Sequence, residues 1–281
     1  MRKYSILGLS LFVTLLIVIA GMPGESAQAQ NNTKFFVAPK VFQAAGPNIA
    51  AIQGSVDAYR AALGIQNNGN APGPLGAGHR EINWDGGGSD ATTPPVTPFN
   101  VFLNTRGGQF TTPGVGLSQA PVSGGPQGGL VKLFNNPTYA TTFAAFSPVR
   151  LFTPVGSNVT NSTFFIPGTS GNLPATVTGF GAIFSDVDQP DGSGPGAKQG
   201  NRGSSTLMEF FGVNGELLFS SFVPAAPGDA GFSFFGVKFA AAKIARVRIT
   251  AGNAAPGPND EANRDIVMMD DFIYGEPQLH P

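Results

Sequence analysis

The chain has 281 residues with no Cys, 39 Gly, 24 Pro and 24 Phe, and only 12% of its residues are charged, about half the usual share. Zero Cys excludes disulfides, thiolate metal sites, iron–sulfur clusters and Cys nucleophiles, and two His leave little room for a His-based triad or a multi-His zinc site. With 16 basic against 17 acidic side chains there is no electrostatic footprint for nucleic acid or anionic lipid.

Arg2 and Lys3 form a short positive region, an apolar stretch runs from Ile6 to Ala20, and Ala27-Gln28-Ala29 offers small residues where a signal peptidase reads. This is the three-part pattern of a secretory signal. The apolar run is shorter than the roughly 20 residues that span a bilayer. Residues 1–29 are therefore read as a signal peptide and residues 30–281 as a mature chain of one domain. That chain is expected to be extracellular or periplasmic, with no transmembrane anchor.

Along the mature chain the first element is a helix over Ile49–Leu63. Asn48 can cap its start, and Gly64 stops it. Ile49, Ile52, Val56, Tyr59 and Leu63 recur at helical spacing on one face. Asp57 and Arg60, three apart, can pair on the exposed side. From Gly64 to Pro126 turn residues dominate, with strand-length clusters at Arg80–Trp84, Phe99–Leu103 and near Phe110. Asn158-Val159-Thr160 and Asn161-Ser162-Thr163 match a glycosylation pattern and are read as loop. Ala175–Phe184 reads as a strand whose Gly179 and Gly181 signal a bulge or the close packing of another backbone. Leu207–Val213 and Glu216–Val223 read as a hairpin joined by a type I′ turn at Asn214-Gly215. Phe232–Phe239 is an aromatic strand. In Ile244–Thr250, Arg246 and Arg248 alternate with Val247 and Ile249, so one side is wet and the other dry. Ile266–Tyr274 is the last strand. Short strands at this spacing predict a mainly β fold, an antiparallel sandwich or barrel, with one short N-terminal helix.

Two stretches carry a resemblance. Val56-Asp57-Ala58-Tyr59-Arg60-Ala61-Ala62-Leu63-Gly64 with His79-Arg80-Glu81-Ile82-Asn83-Trp84-Asp85-Gly86 resembles the start of a group of uncharacterised secreted bacterial proteins. The stretch Gly179–Asp188, then Phe235-Gly236-Val237 and Met269–Gly275, is similar to that group's second half. It also resembles jelly-roll domains of exported proteins that carry C-terminal sorting tails; no such tail is visible here. The resemblance implies a jelly-roll-like β-sandwich and export, and it brings no activity with it.

Two constellations of polar residues stand out. Asp186 and Asp188 leave a strand and enter a Gly-rich loop with Asp191, while Asp270 and Asp271 interrupt an apolar strand. Carboxylates at i and i+2 with loop carbonyls suit a hard cation such as Ca²⁺, so Asp186, Asp188, Asp270 and Asp271 are the candidate ligands of a structural calcium. The alternative is a set of solvated or Arg-paired turn residues. Strand alternation predicts that Asp270 and Asp271 face opposite sides, with at least one near the core and in need of a partner. In the second constellation, Glu81 and Asp85 could mimic a glycosidase pair with Trp84 under a sugar ring. The simpler reading makes Trp84 a core anchor and Arg80 and Glu81 structural charges. No nucleophile elbow or phosphate-binding loop is present, and no catalytic residue is assigned.

The expected function is a secreted, non-enzymatic binding or structural protein of the cell surface or extracellular matrix. Its partner would be an extracellular polysaccharide or another surface component, with glycan binding and a structural Ca²⁺ as the specific possibilities. The alternative is a polysaccharide-active enzyme on the same fold, using Glu81 with Asp85, or Asp186 with Asp271. Jelly rolls host both classes.

Overall fold

The computed structural model describes residues 38–86, 88–188, 206–226, 228–259 and 264–279. The signal peptide expected at residues 1–29 and the Asp191 loop lie outside them. β1 (Lys40–Gly46) and α1 (Ile49–Leu63) come first, then β2 (His79–Ile82), α2 (Leu103–Arg106), β3 (Gly108–Thr111) and β4 (Gly116–Pro121). α3 (Gly129–Phe134) and α4 (Tyr139–Thr142) precede β5 (Arg150–Val155), β6 (Val159–Phe165), β7 (Pro174–Thr176) and β8 (Gly179–Ser185). The chain ends on β9 (Leu207–Phe211), β10 (Leu217–Phe222), β11 (Phe232–Lys238), β12 (Arg246–Thr250), β13 (Met268–Gly275) and β14 (Gln278–Leu279).

The strands form two antiparallel sheets. The first runs β1-β11-β8-β13-β5-β4, with β2 also paired to β13; the second runs β10-β9-β12-β6-β7-β14, with β3 paired to β6. From β8 onward the chain alternates between them: β8 in the first, the β9–β10 hairpin in the second, then β11, β12, β13 and β14 in turn. The fold is the mainly β, jelly-roll-like sandwich expected. Among the described residues it has four helices where the sequence predicted one, because α2, α3 and α4 are only four to six residues long and too short to leave a helical repeat.

Between the sheets lies an aromatic core. Phe152, Phe180, Phe184, Phe235, Phe272 and Tyr274 of the first sheet meet Phe110, Phe164, Met208, Phe210, Val247 and Ile249 of the second. Trp84, fully buried, stacks on Phe152 with ring centroids 3.7 Å apart and planes 4° from parallel. Phe99, Phe102, Phe110 and Phe272 meet it edge-on. Its indole N–H donates to the Asp270 carbonyl at 2.8 Å. Each such aromatic pair contributes about 0.5–1.5 kcal/mol beyond area burial. Trp84 is thus a core anchor and offers no platform to a sugar.

The outer side of the first sheet is covered. α1 begins as the sequence predicts, with Asn48 Oδ1 accepting from the Ala51 amide. It buries Ile52, Val56, Tyr59 and Leu63 against Phe42, Ile183, Phe234 and Ile273; Ile49, expected on that face, is 39% exposed at the helix start. Tyr59 fits because Gly179, Gly181 and Gly236 have no side chains. A Cβ built at Gly181 would stand 2.8 Å from the Tyr59 ring, and Gly181 and Gly236 are direct cross-strand partners. The glycines expected to admit another backbone instead make a seat for one tyrosine ring. Further along the same side, α3 and α4 bring Leu130, Phe134 and Tyr139 over Leu151, Ile266 and Met268.

Two local readings are corrected. The β9–β10 turn is not type I′. Gly215 has φ +78°, but Asn214 is not among the residues with positive φ, which type I′ requires at both positions. The Gly215 amide donates to Gly212 O and the Gly212 amide to Glu216 O. This is a three-residue loop closed by a left-handed glycine, the next commonest hairpin form. Second, Val159–Phe165 is strand β6, not loop. Thr, Asn and Ser there mask the strand because their alternation separates two polar classes rather than apolar from polar: Thr160 and Ser162 are buried, Asn161 and Thr163 half-exposed.

Candidate functional site

The four candidate calcium ligands do not converge. Asp270 and Asp271 lie on β13 opposite Ile183, since Met269 pairs with Phe184 and Phe272 with Ala182. Asp186 is three residues further along the neighbouring chain, about 10 Å by strand rise. It has φ +69°, and its amide donates to Gly231 O. Asp188 is buried; desolvation first, then the charge of Asp229, raises its carboxyl above the usual range. Among the described residues no group of three or more His, Asp or Glu is arranged to hold a metal.

Asp270 and Asp271 do come together with each other, by a device absent from the sequence reading. Three steps on β13 from Met269 to Phe272 oppose two steps on β8 from Phe184 to Ala182, so the aspartates form a β-bulge. The bulge resets the alternation. Met269 before it and Phe272 after it both enter the inter-sheet core, while Met268 and Ile273 face outward beneath the helical covers. Both carboxylates accordingly lie on the outer side, correcting the expectation of opposite sides. Ser147 Oγ reaches Asp271 Oδ1 at 2.5 Å and Asp270 Oδ1 at 3.2 Å. The Phe146 amide donates to Asp270 Oδ2 at 2.6 Å. One hydroxyl proton cannot satisfy two carboxylates. Burial first, and then the charge of Asp271, pushes Asp270 well above the carboxylate range. Burial also raises Asp271, and the hydrogen bonds from Ser147 and Asp270 moderate it to about 6.

The second constellation is structural around this pair. Arg60 of α1 makes a forked pair with Glu81, 2.8 Å from Nε and 3.0 Å from Nη2, and stands 3.7 Å from Asp271 Oδ2. His79 Nε2 lies 2.7 Å from Glu81 Oε1 while Nδ1 faces Gly64 O. Burial opposes ionisation of Glu81, but its bonds to His79 and Arg60 win and bring it to about 2. Asp57 pairs with Arg60 at 3.2 Å, as its spacing predicts. Asp85 Oδ1 accepts from the Val149 and Arg150 amides at 2.6 and 2.8 Å. Arg80, fully buried, is matched by Glu276 at 2.7 and 2.8 Å and by the carbonyls of Gly69 and Thr105. Glu81, Asp85 and Glu276 each fasten a neighbouring segment, while Asp57 stays within α1.

The outer side of the second sheet differs. Its outward residues on β6, β9 and β12 remain half-buried or exposed, and no helix among the described residues packs along those strands. Register aligns them into rows across the strands. Leu217, Phe211, Arg246, Thr163 and Gln109 form one row over five strands, with Leu217 exposed at its end. Ser220, Glu209, Arg248, Asn161 and Thr111 form the next over five. At about 4.8 Å per strand each row spans about 19 Å. Arg246 is fixed in place: its guanidinium carbon lies 3.8 Å from the Phe211 ring centroid, and Nη1 donates to Asn161 Oδ1 at 3.1 Å. Gln109 donates to Asn100 Oδ1 at 3.0 Å. The wet side of β12 was legible in sequence; the rows were not, because they depend on the register of four other strands. Comparison of the chain with protein families, curated proteins and solved structures gave no match.

Proposed function

We propose that the protein is an exported, non-enzymatic binding protein that holds an extended polysaccharide on the open side of its second sheet, at a cell surface or in an extracellular matrix. The observation that carries this reading is the pair of largely polar rows, Leu217-Phe211-Arg246-Thr163-Gln109 and Ser220-Glu209-Arg248-Asn161-Thr111. Planar amide and guanidinium donors with hydroxyls between them match the alternating donors and acceptors of sugar hydroxyls. A shallow open face suits a chain that crosses it, whereas small ligands call for concave pockets. The carboxylates weighed for acid–base chemistry support the same reading, since Glu81 and Asp85 are engaged by Arg60, His79 and backbone amides. A glycan array run beside a hydrolysis screen on the same polymers tests it. Retention of an extended glycan without chain cleavage is the expected result. Release of reducing ends would replace this reading with a polysaccharide-active enzyme, and an array without retained glycans would remove it.

A further inference from the structure

We infer that the glycan taken by the open side of the second sheet is acidic, a uronate polymer whose carboxylates are gripped by Arg246 and Arg248. This rests on the polysaccharide reading above and names its ligand class. The two arginines sit on the same side of β12, two residues and so about 6.7 Å apart. Each belongs to a different row, Arg246 beside Phe211 and Thr163, Arg248 beside Glu209 and Asn161. Arg246 reaches across to Asn161 of the second row, so a chain crossing the strands meets both guanidiniums where it passes over β12.

The chemistry of the two positions fits that role. A guanidinium presents five donors in a planar fork that matches a carboxylate. Arg246 uses one, on Asn161, and its plane is set by the Phe211 ring. Arg248 is 46% exposed, and its Nε stands 3.8 Å from Glu209 Oε2, beyond hydrogen-bond reach. An exposed pair of this kind is weak and exchanges readily for a better-placed anion. The outward residues of β3, β6, β9, β10 and β12 carry these two arginines against the single carboxylate of Glu209. Neutral sugars, by contrast, favour stacking on open aromatic rings. In these rows the aromatic ring is Phe211, with Arg246 on one of its faces; Phe222, two residues beyond Ser220 on β10, is the open ring at the margin.

The test is affinity electrophoresis of the full exported protein through gels containing polygalacturonate, alginate, dextran or dextran sulfate. The uronate polymers should retard it, dextran should not, and added salt should weaken the effect. Arg246→Gln and Arg248→Gln should each weaken uronate binding about tenfold or more, the scale of a charge-assisted hydrogen bond. Glu209→Gln should strengthen it. Arg246→Lys should recover only part, because the fork is lost. Thermal melts of these surface variants should match the parent, so that lost binding is not lost fold. Equal retardation by dextran, unchanged in the arginine variants, would overturn the acidic ligand and leave the glycan reading standing. Retardation by dextran sulfate as strong as by the uronates would overturn the carboxylate assignment. No retardation by any polymer would remove the glycan reading itself.

Discussion

The outer sides of the two sheets start from similar alternating strands and end differently. The first sheet is roofed by α1 on one part and by α3 and α4 on another, so its outward residues beneath the roof are mostly apolar, with Arg60, Glu81, Asp270 and Asp271 paired there and Lys40 exposed at its edge. The second sheet has no such roof among the described residues, and its outward positions carry Arg, Asn, Gln, Thr and Glu in cross-strand rows. The difference places the packed, stabilising contacts on one side and leaves the other side open, where the proposed glycan would bind. Charges under the first roof answer to the protein's own groups; charges on the open rows remain available to something outside.

This contrast can be broken at several points. Tyr59 is fully buried, seated over the three glycines, and donates to Val237 O at 3.0 Å. Tyr59→Ala should cost about 3–5 kcal/mol of unfolding free energy, read by chemical denaturation; a loss under 1 kcal/mol would mean the roof is not tightly seated. Ser147→Ala removes the hydroxyl shared by Asp270 and Asp271, and should cost about 1–3 kcal/mol. The same change should sharpen the loss of stability on the alkaline side, since the pair then repels without a bridging donor.

The pH profile of the parent follows from the same groups. Asp271 is raised to about 6, so its contribution is complete below its ordinary range and is lost as pH climbs through about 6. Asp188, also raised, acts in the same direction. Glu81 is lowered to about 2, so its contribution is present above its ordinary range and is lost as pH falls toward 2. From these groups stability should therefore peak at the acid edge of the ordinary carboxylate range, about pH 3.5–4, and fall from there toward neutral pH. Denaturation midpoints across pH 3–8 check this, and a steady rise to pH 8 would contradict the protonated pair. Asp270→Asn, which keeps the shape and removes one charge, should flatten the alkaline limb.

Smaller effects belong to the exposed elements. Gly215 has φ +78° and open space around its Cα, so Gly215→Val suffers backbone strain alone and should cost about 1 kcal/mol. An unchanged melting temperature would show that the loop adapts. On the open rows Thr163→Ala should leave stability within about 0.5 kcal/mol while weakening glycan retention. If it unfolds the protein instead, the division between a stabilising and a recognising face fails.

What the sequence determined by itself was local. The cap, apolar stripe and stop of α1 all lie within Asn48–Gly64 and are satisfied by bonds between near neighbours. The β9–β10 hairpin follows from turn residues between two strand-length runs, although the turn type depended on one dihedral at Asn214. The wet and dry sides of β12 follow from its own alternation. Only the tertiary structure decided the rest, because each remaining feature is a relation between distant segments. The bulge at Asp270–Asp271 exists only against the count of residues on β8. The partners of Arg80 and Arg60 come from Glu276, 196 residues away, and from Glu81, 21 residues away. The rows on the open face join five strands whose register is set by the aromatic core beneath them. Strand pairing is a long-range bond network, and a single strand carries the alternation of its own side chains but not the identity of the neighbours that complete the row.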